Sequence, residues 1–172
     1  MKKYLPIILV KIFRLLKNKI IFYNFKRDLK NAVLKDTEIK LVIGSGKTSY
    51  NGWLHSDLPW FDILDLNKIK VFFPAKKISR ILTEHVFEHL TLDEGIIAIN
   101  NLKQILKKNS VIRLAVPDGF HSNSDYIEQV KPGSINDIGH KELYNYKTIK
   151  NLFDEDFEIK FLEYFNENKE FN

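Results

Sequence analysis

The 172-residue sequence contains no cysteine, and this absence excludes disulfide bonds, thiolate metal sites and cysteine nucleophiles. Long hydrophobic runs are also missing near the N-terminus, where the longest stretch without a charge, residues 4–10, is too short to span a bilayer. The sequence shows neither internal repeats nor low-complexity tracts. Its length and its apolar content of 44% predict one domain with a sizeable core.

Acidic residues are scarce at the N-terminus. Residues 1–40 contain eleven Lys or Arg and three Asp or Glu, whereas the rest of the chain contains sixteen and nineteen. The net charge of +5 therefore belongs to an N-terminal arm, and the main body is mildly acidic. This distribution argues against a nucleic-acid channel across the main domain, so we expect no nucleic-acid partner.

The N-terminal arm is predicted to cover residues 1–37, ahead of a domain over 38–172. Within residues 4–24, apolar side chains recur near helical spacing with basic side chains between them. Two interpretations stay open: a helix packed on the domain, or a basic amphipathic helix that brings residues 1–24 to an anionic membrane surface. No small-residue cleavage site follows the apolar run, which argues against a secretory signal. We expect a cytoplasmic protein, with peripheral contact at the inner membrane surface as the second interpretation.

Strand and helix patterns alternate along the body of the chain. Strands are predicted at 40–43, 53–56, 70–73, 78–83, 111–116 and 158–164, and helices at 91–106 and 145–153. Thr91 and Glu94 form a capping-box pattern, and Asn145 is placed as an N-cap. The alternation predicts an α/β fold, a three-layer sandwich with a mostly parallel sheet. Only about nine residues separate the first two strands, so a loop or a single turn should connect them.

The most informative stretch runs from Leu41 to Asp57. An apolar strand ends in Gly44-x-Gly46, and Asp57 closes the next apolar segment. Glycines allow backbone N–H groups to approach a ligand closely, and an acid after the second strand can accept hydrogen bonds from ribose hydroxyls. On its own, this pattern is weak evidence for a cofactor site. In a parallel sheet, however, residues that follow several strands converge on one rim, here 44–46, 57, 83–85 and 117–120.

The order and spacing of these motifs resemble the class I, Rossmann-like S-adenosylmethionine-dependent methyltransferases. The resemblance is greatest to a bacterial branch of predicted methyltransferases often found with cell-surface polysaccharide genes, and it covers about residues 38–167. The matching stretches are LVIGSG (41–46), GWLHSDL (52–58), DLNK to FFP (65–74), EHVFEHLTLDEG (84–95), LKQILKKNSVIRLAVPDGF (102–120) and GHKELYNYKTIKNLF (139–153). The resemblance implies S-adenosyl-L-methionine as cofactor and a small-molecule or glycan acceptor.

The resemblance also assigns residues to the cofactor. The Gly44–Gly46 turn would border its methionine part, Asp57 would meet the ribose, Asp65 would lie near the adenine, and His85 would lie near the sulfonium or the acceptor. The implied cofactor-binding set is Gly44, Ser45, Gly46, Asp57, Leu58, Asp65, Glu84 and His85.

The sequence departs from the family pattern in three respects. The first motif lacks a third glycine, and Ile78-Ser79 stands where the family has Phe-Asp. The last strand of the family fold is expected to be missing. A missing strand would leave unpaired backbone groups in the sheet. Two alternatives follow: a homodimer that fills the slot, or a catalytically inactive, truncated relative that acts as a binding module.

A hydroxyl acceptor would require a general base, because its proton must leave. The candidates are His85, Asp118, His121 and His140, and residues 121–140 are predicted to form the acceptor loop or lid. The structural alternatives are a turn for Asp118, an exposed loop position for His121 and a cap for His140.

His85 to His89 also reads H-x-x-E-H, the inverted zinc-protease motif. On a helix both histidines could bind zinc while Glu88 polarised water, which gives a zinc hydrolase as a further alternative. The capping box starts the next helix only at Thr91, so we expect no metal ligands here. Glu88 and His89 are predicted instead to fix the turn into that helix, and a role of His85 or Glu88 at the active-site rim is the alternative.

Overall fold

A computed structural model describes residues 4–34, 38–74, 77–134 and 139–172. Its four strands are β1 (Ile39–Ile43), β2 (Leu54–Ser56), β3 (Ile78–Glu84) and β4 (Leu106–Ala115). Its α-helices are α1 (Tyr4–Leu34), α2 (Leu66–Phe72), α3 (Leu92–Lys103), α4 (Ser124–Val130) and α5 (Tyr146–Lys150). The strands form one parallel sheet in the order β2-β1-β3-β4, flanked by helices. The predicted α/β fold, a Rossmann-like sandwich, is confirmed.

The central strand β1 explains why the sheet lies inside the molecule. Ile39, Leu41 and Ile43 alternate along the strand and join the main hydrophobic cluster, while Val42 between them is buried as well. A strand that is apolar on both faces is typical of parallel sheets covered on both sides. The connection from β1 to β2, residues 44–53, contains turns and no helix, as its length predicts.

The predicted strand at 70–73 is wrong, because these residues belong to α2 and to the position that ends it. Asp65 caps this helix by accepting a hydrogen bond from the Lys68 amide at 3.1 Å. Ile69 and Phe73, four residues apart, are both buried in the core. The N-cap and this i, i+4 pair favour a helix over the β propensity of valine and phenylalanine.

The two predicted helix starts are confirmed. Thr91 and Glu94 form the capping box of α3, and Asn145 caps α5 together with Thr148. The predicted helix ends at 106 and 153 are wrong. The chain leaves α3 after Lys103 and enters β4 only three residues later, while α5 is a short helix of five residues.

The predicted strand at 158–164 is also wrong. In residues 139–172 the structure assigns one isolated antiparallel bridge, between Phe165 and Phe171, and no regular strand. Asn172 and Tyr164 exchange backbone hydrogen bonds beside this bridge. The sheet of the described residues therefore ends at β4.

Helix α1 packs on the domain through its C-terminal part. Phe25 and Leu29 are buried, and the Phe25 ring contacts the rings of Trp60 and Phe72 at centroid distances of 4.7 and 5.3 Å. The packed-helix interpretation is thus confirmed for this part of the arm. The predicted boundary at residue 37 lies outside the described residues. None of the helices in the described ranges has the length and apolar character that a membrane span requires.

Candidate active site

The carboxyl ends of the four strands lie at the same edge of the sheet. Ile43 at the end of β1 pairs with Ser56 of β2 and with Thr83 of β3, and Glu84 pairs with Ala115 of β4. The predicted convergence of these strand ends is confirmed. The residues that follow them make up the candidate site.

Two glycines shape the loop after β1, and each has a positive φ, 66° for Gly44 and 53° for Gly46. A Cβ at Gly44 would lie 2.3 Å from Val86 Cγ2, so this loop packs directly against the turn after β3. A Cβ at Gly46 would meet nothing within 4 Å. The Gly46 amide donates to Asp57 Oδ2 at 3.0 Å. The two halves of the predicted cofactor motif are therefore in direct contact.

The Asp57 carboxylate can accept further hydrogen bonds from a ligand. Its Oδ1 accepts from the Leu58 amide at 2.8 Å, and its Oδ2 accepts from Gly46. A carboxylate offers about four lone-pair positions, so about two further hydrogen bonds are available to it. Ser45 is buried between these residues and donates its amide to the Ser56 carbonyl at 3.0 Å. Leu58 is largely exposed.

Two predicted cofactor residues, Asp65 and Glu84, make contacts within the local structure. Asp65 is the N-cap of α2 and pairs with Lys68 Nζ at 3.2 Å, and its hydrogen bonds from Lys68 keep the pKa of its carboxyl below the ordinary value. Glu84 forms an ion pair with Arg113 across β3 and β4. The Asp65 contacts therefore support a cap more directly than an adenine contact.

A buried carboxylate lies beside the end of β3. Glu88 is 1% exposed, whereas the His85 side chain is 75% exposed, and His85 Nδ1 donates to Glu88 Oε1 at 3.1 Å. His85 has a φ of 55°, and its amide donates to the Ala115 carbonyl at 3.0 Å. The Glu88 carboxylate therefore orients an exposed imidazole at the rim.

His140 reaches the same carboxylate from a distant part of the chain. Its Nε2 lies 4.0 Å from Glu88 Oε1, and its ring meets the His89 ring edge-on at 5.0 Å. The Glu88 carbonyl accepts from the Lys141 amide at 2.7 Å, which fixes the approach of this segment. Of the four predicted bases, the structure therefore brings His85 and His140 together.

The H-x-x-E-H residues do not lie on an α-helix. Phe87–His89 form a single 3-10 turn, which an extended Leu90 ends before α3 begins. His85 precedes the turn in a left-handed conformation. The two histidines of the motif thus lack the common helical face that the zinc-protease arrangement needs.

Asp118 and His121 have mainly structural contacts. Asp118 accepts from the Phe120 amide at 2.8 Å through Oδ1 and from the Phe165 amide at 2.7 Å through Oδ2. The His121 ring packs on Tyr126 and Phe165 at centroid distances of 4.3 and 4.5 Å. His121 is therefore half-buried and packed, rather than an exposed loop residue, and Asp118 makes a turn that also holds the C-terminal segment.

Two tyrosines were missed by sequence reasoning. Burial raises the pKa of Tyr126, and the charge of Asp118 adds to this effect. Tyr144 is fully buried, its hydroxyl lies 3.4 Å from the Leu90 carbonyl, and burial raises its pKa strongly. No sequence pattern around either tyrosine distinguishes it from the other tyrosines of the chain. Their positions depend on segments that come together only in the folded chain.

Comparison with known proteins assigns no function to this site. A comparison of the chain with protein-family models found no match. A comparison with curated proteins and with solved structures also found none.

Proposed function

We propose that this protein is an S-adenosylmethionine-dependent methyltransferase that acts on a small-molecule or glycan acceptor. The observation that carries the proposal is the contact between the Gly46 amide and the Asp57 carboxylate, at the carboxyl edge of a parallel sheet. Ligands of open α/β sheets bind at this edge. The sequence resemblance supplies the identity of the ligand.

The residues present fit such a cofactor. Gly46 leaves open backbone in the loop after β1, because a Cβ built there meets no atom within 4 Å, whereas the corresponding space at Gly44 is filled by Val86. Asp57 retains lone pairs for two adjacent hydroxyl groups. When bound, S-adenosylmethionine would supply a methyl group on a sulfonium, which an acceptor oxygen takes up by in-line displacement. The chain would contribute orientation and a site that excludes water.

His85 is the best-placed general base among the four candidates. Donation of its Nδ1–H to Glu88 leaves Nε2 with a lone pair that faces away from the protein interior. A histidine oriented by a carboxylate is a common arrangement for proton removal. Asp118 already accepts two backbone amides, and the Nδ1 of His121 accepts from the Asn123 amide at 3.1 Å. Glu88 acts here as a positioning residue.

The zinc-hydrolase alternative has less support. That mechanism needs Glu88 free to polarise water between two histidines of one helix. Glu88 is buried and accepts from His85, and the motif lies on a 3-10 turn. The inactive binding module remains the alternative that cofactor binding distinguishes.

The test is calorimetric titration of the purified chain with S-adenosylhomocysteine. We expect micromolar binding by the wild type and loss of binding by Asp57→Ala. Asp57→Asn should weaken binding about 10- to 100-fold, because a hydrogen bond to a charged group contributes about 1.5–3 kcal/mol. Asp93→Ala, which removes an exposed carboxylate of α3, is the matched control.

If a folded wild-type chain does not bind S-adenosylhomocysteine, the enzyme proposal is wrong and the binding-module alternative takes its place. If binding occurs and is equally strong in Asp57→Ala, the cofactor lies elsewhere. A screen of hydroxyl-bearing acceptors with radiolabelled S-adenosylmethionine then follows for the wild type and His85→Gln. The variant should lose turnover while it keeps its affinity for the cofactor.

A further inference from the structure

The cluster around Glu88 contains the types of side chain that bind transition metals. One potential ligand atom from each of Glu88, His89 and His140 lies within 4.8 Å of the other two. Glu88 is 1% exposed, and its Oε2 finds no hydrogen-bond partner among the described residues. Burial of a carboxylate oxygen without a hydrogen-bond partner costs free energy, because the oxygen loses its hydrogen bonds to water and no others replace them.

Backbone carbonyls hold both histidines in a defined tautomer. His89 Nδ1 lies 3.0 Å from the Gly139 carbonyl, and His140 Nδ1 lies 2.7 Å from the Val130 carbonyl. A carbonyl can only accept, so each Nδ1 carries the proton and each neutral ring presents its lone pair at Nε2. Metal-ligating histidines usually donate their other N–H to a carbonyl or a carboxylate in this way.

A simple ion pair explains the cluster less well. The distance of 4.0 Å between His140 Nε2 and Glu88 Oε1 exceeds that of a hydrogen bond, and this His140 side chain is nearly buried. His85 contacts Oε1 only, and Oε2 has no hydrogen-bond partner within the ranges 4–34, 38–74, 77–134 and 139–172. A cation between the carboxylate and the imidazoles would give Glu88 Oε2 the partner that it lacks among the described residues.

We propose that Glu88, His89 and His140 bind a divalent transition-metal ion. Two neutral imidazoles and one carboxylate suit ions such as Zn²⁺, Mn²⁺ or Fe²⁺, and the chain has no thiolate to compete for them. Three protein ligands leave at least one coordination position open. This set differs from the H-x-x-E-H arrangement, because His140 from the distant loop takes the place of His85.

The open position would take a hydroxyl oxygen of the acceptor, since Glu88 follows β3 on the turn whose Val86 packs against Gly44. A hydroxyl bound to a metal ion loses its proton more readily, so the ion would assist transfer of the acceptor's proton to His85, which contacts Glu88. This role rests on the proposed methyltransferase function. The metal site itself does not.

Metal binding is tested on the full chain after dialysis against a chelator. Zn²⁺ is titrated by calorimetry, and Mn²⁺ by the paramagnetic resonance signal of the free ion. We expect one ion per chain, and about 100-fold or greater weakening in Glu88→Gln and in His140→Gln. His55→Gln is the matched control, because His55 accepts from the Tyr50 amide on the β1–β2 loop. A rise in the melting temperature with Zn²⁺, present in the wild type and absent in Glu88→Gln, is the second readout.

The proposal is overturned if the folded wild type binds no stoichiometric metal, or if Glu88→Gln and His140→Gln bind as tightly as the wild type. Titration with S-adenosylhomocysteine separates the two proposals. Metal binding without cofactor binding would refute the methyltransferase and leave the metal site standing. Cofactor binding without metal would do the reverse.

A second, independent feature is the apolar stripe of α1, which we define as Leu9, Ile12, Leu16, Ile20 and Tyr23. Their spacings of three and four residues place them on one helix face, and each is between 47% and 68% exposed. Phe25, which packs on the domain, lies sixteen residues after Leu9, or about 160° around the helix. The stripe therefore faces away from the domain over a length of about 21 Å.

We propose that the stripe binds the surface of an anionic membrane. Residues 1–24 contain six Lys or Arg and no Asp or Glu, so this segment complements negative lipid headgroups. Association of two copies through the same stripe would bring these like charges together. Exposed Lys19 lies beside the stripe, where it can meet headgroups while the apolar side chains enter the interface.

Vesicle sedimentation of the full chain tests this surface. We expect binding to vesicles of phosphatidylcholine and phosphatidylglycerol, weaker binding to phosphatidylcholine alone, and about tenfold or greater loss in the Leu16→Glu/Ile20→Glu variant. Leu162→Glu, an exposed leucine of the C-terminal segment, is the control. Absence of binding to anionic vesicles overturns the proposal. So does a dimer in light scattering that the same double substitution abolishes.

Discussion

The Gly46 amide donates to Asp57 Oδ2 at 3.0 Å, which ties the loop after β1 to the residue after β2. These residues are joined by a helix-free connection, so no helix N-terminus is available there to orient a ligand. In the proposed cofactor site, direct contact between the loop and the Asp57 carboxylate would take over part of that role. The same loop packs on the turn after β3 through Gly44 and Val86.

Gly44→Ala should destabilise the protein more than Gly46→Ala. Both changes place alanine in the left-handed region, at a cost of about 1–2 kcal/mol, and Gly44→Ala adds a steric clash with Val86 worth about 1–3 kcal/mol. Combined with Val86→Ala, the Gly44→Ala substitution should cost less than the two single changes predict, by about 1 kcal/mol or more. Urea unfolding of the four variants measures this coupling. Additive costs would contradict the packing of this loop on Val86.

Thr91→Ala should lower the free energy of unfolding by about 1 kcal/mol, because the Thr91 hydroxyl accepts from the Glu94 amide at the start of α3. Thr91→Ser keeps an oxygen at the same position and should cost much less. Equilibrium unfolding in urea compares the two. Equal destabilisation by serine and alanine would show that the methyl group, rather than the cap, carries the effect.

Alkaline pH should destabilise the fold through Tyr144. Burial raises the pKa of this phenol above the ordinary value of 10.0, so the folded chain keeps a proton that the unfolded chain releases. The contribution of protonated Tyr144 to the free energy of unfolding is fully present below pH 10.0. It is lost progressively as the pH rises above that value. Unfolding in urea at a series of pH values should show this loss in the wild type and a smaller one in Tyr144→Phe. An identical slope in the variant would contradict the assignment.

Glu167 should titrate well below an ordinary glutamate. Its ion pair with Lys147 lowers the pKa of its carboxyl to about 2, with a further contribution from a hydrogen bond of Tyr146. Carbon-detected NMR of the side-chain carboxyl follows this titration directly. In Lys147→Met the midpoint should move up towards the ordinary value of 4.5. A midpoint that stays unchanged in the variant would show that the pair does not form in solution.

The local sequence was sufficient to predict features whose interacting residues lie within a few positions of each other. Thr91 and Glu94 are three positions apart, and the capping box that they form was predicted from that spacing alone. The glycine turn and Asp57 were paired because two parallel strands must present their ends at one edge. The strand predicted at 70–73 does not form, because the N-cap at Asp65 begins a helix whose Ile69 and Phe73 enter the core.

Contacts between residues that are distant along the chain could not be predicted from sequence patterns. The residues at 158–164 have the composition of a strand, yet a strand exists only where another strand pairs with it. Glu88 and His140 are 52 positions apart, and backbone hydrogen bonds of Lys141 and Glu142 to the Glu88 carbonyl bring them together. The sequence by itself determined the alternation of strands and helices, the caps of α3 and α5 and the composition of the strand-end loops, because these depend on neighbours along the chain. Only the tertiary structure decided which imidazoles meet the buried carboxylate and which face of α1 stays exposed, because those contacts depend on how distant segments pack.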